Sequence, residues 1–535
     1  MALIVRGEDA TALEGMRRYW TYCGFDCAGT REVYDVLRPC MDPAQERVYR
    51  FRLACQGPAM QMMLRGLDVD EGARIKTVAT LTAEFEKLKH DADALVGSLW
   101  TKQEKETGTC PKAKRKDGKH SWPREVPDTD MSKSCTQCGG SRWVRSVFNP
   151  MSDDQCQLLL YGVLGLEEET NKTGNVSTDK EILDRIERKS AKARPFVKLI
   201  KGCRQTHKMM EMLAQITDGK FWYSMSVGAT ETGRWSSTDN PYQKGGNAQN
   251  ITEKLRRVFV PSPGKRFFVA DFEQAESNVF AHIAGDDAYI AAHKEGDIHT
   301  VVARMCWPEF PWTGDTAKDK KLAESTFPAW DNLNPIRRHA KVNAHGTNYV
   351  KSPMGVARDA HIPVAAAKEF QDRYFEAFPM IRPYHHWVAR QILEKGELTT
   401  PLGWTRRFFG RRHKEGGGID GHTHRQAVAF VPQSTVVELL NVALWRMWVE
   451  LDPAELEVLV QHHDAVMGQV PAQVAVKSEK VFTRLLELMR LPVDVKGVDG
   501  KTRRMVIPVD VKIGDNWGKH NADAAKGPLN EGGLK

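Results

Sequence analysis

RRHAKVNAHGTNY, residues 337–349, sets Arg337, Lys341, His345 and Tyr349 at four-residue intervals, a spacing that stacks them on one face of a helix. Upstream, FFVADFEQAES (267–277) is a short apolar strand that ends in an acid, Asp271. Downstream, LVQHHDAV (459–466) is an apolar run that reaches a second acid, Asp464, at an expected hairpin turn between Gln461 and Ala465. An aspartate after a strand is by itself a turn residue or a helix cap, and a basic run is by itself a solvated face. The three stretches together point elsewhere. Cations and an aromatic ring that face two carboxylates suit a metal-held triphosphate: the acids hold divalent ions, Arg337 and Lys341 meet phosphate oxygens, and the ring packs on a base.

The rest of the chain supplies a mixed framework. Residues 1–44 look helical, and 45–98 carry apolar positions at three- and four-residue spacing, as in RIKTVATLTAEFEKLKHDADALVG. Residues 100–146 are rich in Lys, Gly, Ser and Pro and lack an apolar period, which marks an insertion. They hold Cys110, His120, Cys135 and Cys138, a candidate Cys3His zinc set; reduced cysteines in a loop are the competing reading. Helical patterning returns from Phe148 to about residue 218. KRFFVADF reads as a strand, 296–395 as largely helical, TPLGWTRRFFG as a short strand pair, and HRQAVAFVPQSTVVELLNVALWRM as a long buried helix. VLVQHHDAVMGQV and IPVDVKIG read as strands flanking one more helix. The tail 518–535 is expected to be disordered.

Three blocks in this order resemble the family A DNA polymerases, typified by bacterial DNA polymerase I. DFEQAES is similar to the first palm motif, RRHAKVNAHGTNY to the finger-helix motif, and QHHDAV to the third motif. Weaker similarities lie in TETGRWSS (230–237), NAQNI (247–251), GDIHT (296–300), TPLGWTRR (400–407), PQSTVVELL (432–440) and IGDNW (513–517), so the resemblance covers about residues 45–518. It implies an α+β right-hand fold: an antiparallel palm sheet (221–295 and 426–517), helical fingers (296–425) and a helical thumb (45–220). It implies template-directed addition of deoxynucleoside monophosphates to a primer, with Asp271, Asp464 and the Phe272 carbonyl as ligands of two Mg2+ ions. Lys341 is then the phosphate contact and candidate general acid. Gln274, Glu276, Arg337, His345 and Tyr349 join Lys341 around the nucleotide, Glu276 packing on the sugar to exclude a 2′-hydroxyl. Arg234, Asn247, Gln249, Asn250, Arg425, Gln433 and His463 match positions that contact DNA. Gly346 is expected to give room for close backbone approach.

The sequence also departs from that pattern. Ala465 stands where the family usually has Glu, His345 where it has Phe or Tyr, and Asn278 where it often has Arg. The changes at His345 and Ala465 suit a specialised, low-fidelity or lesion-bypass enzyme; an alternative from another class is a non-catalytic DNA-binding accessory protein that has kept the fold. Residues 22–26 with TREVYDVL resemble the last motif of a DnaQ-like 3′–5′ exonuclease, whose earlier motifs would lie before Met1. Residues 1–44 are therefore read as an exonuclease-domain remnant, against a helix that carries these residues by chance, and a separate exonuclease subunit or processivity factor becomes a candidate partner beside primer–template DNA and dNTPs.

Bulk properties agree. A chain of 535 residues exceeds one core. The net charge of +8 is mild for that length and leaves 69 acidic residues, so any basic surface is local. No membrane span or signal peptide is expected. Ten cysteines, with CxxC spacing only at Cys135 and Cys138, read as a reducing compartment, the cytoplasm of a bacterium or of a phage-infected host.

Overall fold

A computed structural model describes residues 12–97, 99, 104–106, 143–145, 147–171, 173–325, 335–410, 418–473 and 479–518. The zinc candidates Cys110, His120, Cys135 and Cys138 and the tail beyond residue 518 lie outside these. Helix α1 (Ala12–Leu37) begins the described chain, followed by the long helices α2 (Glu71–Val96) and α3 (Arg194–Ala214), which pack side by side. Between them, Glu104–Glu106 and Trp143–Arg145 pair as antiparallel strands, which brings the two ends of the 107–142 segment together. A small core of its own joins Ala92, Leu160, Ile182, Ile186 and Val197 in this region.

The functional framework follows. Strand β1 (Lys265–Phe272) leads into α4 (Ala275–Ala284), α5 (Asp287–Lys294), α6 (Ile298–Cys306) and α7 (Thr316–Ala323). Then come α8 (Ile336–Asn348), the 30-residue α9 (Gly421–Glu450), strands β2 (Glu457–His462) and β3 (Ala465–Pro471), α10 (Glu479–Met489) and β4 (Val509–Gly514). The sheet runs β2-β3-β1-β4, every pair antiparallel. Phe267, Phe268, Ala270 and Phe272 of β1 are buried, and the Phe268 ring meets Phe482 of α10 edge-on at 6.3 Å, so α10 covers one face. The expected hairpin around His463 and Asp464 is present, and the acids at 271 and 464 fall at one end of adjacent strands.

Helix α9 starts where Asp420 accepts hydrogen bonds from the His422 and Thr423 amides, at 3.0 and 2.9 Å. It is long and apolar enough to cross a membrane, contrary to the expectation that no segment is. Its most apolar stretch is 83% buried inside the protein, which is why it reads so apolar: it is the central core helix. A hairpin of Val493–Lys496 with Thr502–Met505 had no sequence signal beyond short β-branched runs.

Candidate active site

Register sets the site. Asp271 pairs across the sheet with Ala465 on one side and Asp510 on the other. The turn places Asp464 immediately before Ala465, and the Phe272 amide donates to the Asp464 carbonyl at 3.3 Å. His463 takes a positive φ of 54° at the turn, and the Gln461 side-chain amide closes onto its carbonyl. Gln249 in turn donates to the Gln461 side-chain oxygen. Gln249 thus buttresses the hairpin. Asn247 is a cap, accepting from the Gln249 and Asn250 amides at 2.9 and 3.1 Å, so its side-chain oxygen is spent within the protein. Asn250, Arg234, Arg425 and His463 are exposed and Gln433 is half-buried; Arg425 and Gln433 lie eight residues apart on one face of α9.

Opposite the hairpin stands α8. Arg337, Lys341 and His345 share its face as the spacing predicts, and Tyr349 is the capping residue just past its end. A cleft of about 470 Å3 is lined by Asp271, Asp464, Arg337, Lys341, His345 and Tyr349, together with Glu276, Gln274 and His299. The finger-helix face and the two acids therefore meet, as the sequence indicates.

The charges inside the cleft are organised in pairs. Arg337 donates to both Asp297 oxygens, at 2.8 and 2.6 Å. Burial alone would push the Asp297 carboxyl up, but hydrogen bonds from Arg337 and Thr300 outweigh it and hold the group at about 2. Glu276 accepts from the Tyr349 hydroxyl at 3.0 Å and from Arg234 at 2.5 Å. The Tyr349 hydroxyl is pushed well above its usual range by burial and by the Glu276 charge. Burial, then the same Glu276 charge, raises the Asp464 carboxyl. His345 is shifted down by desolvation and stands edge-on to Tyr349 at 4.7 Å.

His299 is the site residue that sequence reasoning missed, although GDIHT was in view. It lines the cleft beside Arg337 and Lys341, and desolvation brings it to about 4, so it is neutral at pH 7. At Gly346 a Cβ would meet Val356 at 3.0 Å, so the small residue lets α8 pack closely on the helix Pro353–Ala360. Gly233 does work near the site: at φ +80° its missing Cβ would lie 2.0 Å from the Trp404 ring, and the turn it permits carries Arg234 to Glu276.

The donor set fits divalent metal. Among the described residues no three His, Cys, Asp or Glu side chains gather to hold an ion alone. Two carboxylates with an open cleft beside them suit Mg2+, which takes one or two carboxylates and completes its shell with substrate phosphates and water.

The comparisons agree with this geometry. The model of DNA polymerase family A matches residues 133–519, and the chain belongs to that family. The thermostable DNA polymerase I of Thermus filiformis is 28% identical over 386 residues, 69% of this chain and 42% of its own length. DNA polymerase I of Streptococcus pneumoniae R6 is 31% identical over 362 residues, 64% of this chain and 38% of its own. The chain thus spans less than half the length of these relatives. Among solved structures, the POL domain of Pol1 from M. smegmatis, in complex with DNA primer–template and dNTP, aligns with a TM-score of 0.61 at 22% identity, covering 87% of this chain and 70% of that one. The fold is the α+β right-hand polymerase fold.

Proposed function

We propose that this chain is a template-directed DNA polymerase that adds deoxynucleoside monophosphates to a primer 3′ end and releases pyrophosphate, in DNA replication or repair. The observation that carries the reading is the cleft in which the Asp271–Asp464 hairpin faces the Arg337–Lys341–His345 row. Asp271, Asp464 and the Phe272 carbonyl would hold two Mg2+ ions, which lower the pKa of the primer hydroxyl and neutralise charge on the transferred phosphoryl group. Arg337, already oriented by Asp297, and Lys341 hold the triphosphate. His299, neutral, donates one hydrogen bond to it. Lys341 also stands where it can protonate the departing pyrophosphate. Tyr349 fixes the Glu276 carboxylate beneath the sugar, where a 2′-hydroxyl would clash. Gln274 spends its side-chain oxygen on the Ile298 amide, at 3.0 Å, and so shapes the floor.

By this reading residues 45–220 form the thumb, 221–295 and 426–517 the palm, and 296–425 the fingers. Arg234, Asn250, Arg425, Gln433 and His463 line the path of primer–template, with Asn247 and Gln249 supporting it. The protein works in the cytoplasm. Cys110, His120, Cys135 and Cys138 would supply the ligands of a zinc site in the 100–146 insertion, which elemental analysis of protein purified without chelators tests. Residues 1–44, with the exonuclease-like residues 22–26, are a remnant of an exonuclease domain, and a separate exonuclease subunit or a processivity factor is a candidate partner. Ala465, which is buried at the position where the family usually has Glu, favours a specialised enzyme of lowered fidelity as the variant reading. Primer extension with a matched or mismatched 3′ terminus, with and without Mg2+, tests both. DNA binding without extension would instead indicate an accessory protein.

A further inference from the structure

Behind the nucleotide cleft lies a second chamber of about 450 Å3. The two share Asp271, Phe272, Gln274 and Arg337, so Arg337 stands in the partition and presents to both. The rear walls add Glu273, Asn278, His293, Asp297 and Lys320. Lys320 is exposed, and its ammonium has no ion-pair or hydrogen-bond partner among the described residues. Its position is nevertheless fixed. The neighbouring Asp319 is fully buried and accepts from the Thr313 amide and hydroxyl, at 2.7 and 2.8 Å, and from the Gly314 amide at 3.1 Å. Arg304 of α6 lies 3.6 Å from the same carboxylate. These contacts staple α7 to α6 and hold Lys320 at the chamber rim. In the wall, Asn278 is 6% exposed and its side-chain oxygen lacks a partner, as does the buried Nε2 of His293. Unsatisfied buried polar atoms beside a cavity are costly unless something fills it.

We propose that this rear chamber is a second diphosphate site, which takes inorganic pyrophosphate with its divalent ion between Arg337 and Lys320 as the product leaves the nucleotide cleft. The inference rests on the polymerase reading above. Charge selects the ligand. Asp297 is neutralised by Arg337, which leaves Asp271 and Glu273 to repel a bare anion. A metal-bound diphosphate meets both signs: phosphate oxygens face Lys320 and the Nη1 end of Arg337, which the two bonds to Asp297 leave unused, while the ion and its waters face the carboxylates and the Asn278 oxygen. A metal alone finds too few ligands, since among the described residues no three His, Cys, Asp or Glu converge there.

The test measures inhibition of primer extension by inorganic pyrophosphate at fixed Mg2+, and binding of magnesium pyrophosphate to the DNA-free enzyme by calorimetry. Lys320→Ala should weaken both by about tenfold, the loss of one charge-assisted contact. Lys320→Arg should restore most of the affinity. Lys318→Ala, two residues away on α7 and outside the chamber, should match the wild type. An enzyme that extends primers yet shows the same pyrophosphate inhibition and binding with Lys320→Ala overturns the rear site alone. An enzyme that extends no primer overturns the polymerase reading, while calorimetry still decides whether Lys320 binds diphosphate.

Discussion

Two arginine–acid encounters sit in the same body and behave in opposite ways. Beside the cleft, Arg337 and Asp297 share two well-formed hydrogen bonds, and the carboxyl stays at about 2. In the core, Arg52 and Glu438 come near one another without such a bond. One terminal nitrogen of Arg52 and one oxygen of Glu438 have no partner, Arg52 lies over the Trp404 ring at 3.0 Å, and burial pushes Glu438 up to about 7 despite the positive neighbour. Proximity of opposite charge is common to both. The direct two-bond contact with the arginine decides the sign: it outweighs desolvation at Asp297, and at Glu438, which the arginine does not bond, desolvation wins even over the hydrogen bonds from Thr400 and Trp404. The Arg337–Asp297 pair is therefore a settled part of the cleft wall, beside an Asp464 carboxyl that burial and Glu276 raise and that a bound cation would relieve, whereas the Arg52–Glu438 region is a structural junction that carries a standing cost.

If that contrast holds, substitutions in the cleft should remove catalysis and spare stability, and those at the junction should do the reverse. The largest effect belongs to the acids. Asp271→Asn and Asp464→Asn should each lower single-nucleotide incorporation by about a thousandfold or more, on the order of 4 kcal/mol in the barrier, with thermal midpoint and DNA affinity nearly unchanged. Near wild-type incorporation by either variant would break the metal assignment.

Next comes Glu438→Gln. The carboxyl titrates near 4.5 when unfolded and near 7 when folded, so the native state binds the extra proton between those values. Wild-type stability should then fall as pH rises from about 4.5 to about 7 and stay level above, by about 3 kcal/mol in all. The glutamine variant, a mimic of the protonated form, should lack that slope and melt higher than the wild type at pH 8, with primer extension intact. Parallel pH–stability curves for the two proteins would show that Glu438 is already paired.

A smaller effect is expected at the sugar. Glu276→Ala removes the carboxylate that Tyr349 and Arg234 hold, and should raise ribonucleotide relative to deoxynucleotide incorporation by about tenfold or more, about 1.4 kcal/mol. Unchanged selectivity in single-nucleotide kinetics would detach Glu276 from that role.

The comparison also explains what the sequence made readable. Asp271, Asp464 and the Arg337–Lys341–His345 row were visible because strand ends and a four-residue helical period are local patterns, and register brings them together. Asp297 was not singled out, since its importance arises from a partner forty residues away, Arg337, and a helix N-cap Asp looks ordinary in isolation; His299 was not, since only the folded cleft sets it beside that pair. The internal bonds of Asn247 to its own turn and of Gln249 to the Gln461 hairpin had no local sequence signal, since the hairpin partner lies over two hundred residues away. Gly346 was a packing glycine because the helix that crowds it follows a turn whose direction no local pattern gives. The junction at Glu438 was hidden inside an apolar helix, and Arg52 lies hundreds of residues upstream.

The central claim is that the paired carboxylates and the α8 cations perform metal-dependent nucleotide transfer. Its most direct test is extension of a labelled primer on a defined template with all four dNTPs across a Mg2+ titration, wild type beside Asp464→Asn. The account predicts template-directed elongation that rises with Mg2+, stops on chelation and is absent in the variant. Tight binding of the same primer–template by the wild-type protein with no elongation at any Mg2+ or Mn2+ concentration would contradict it.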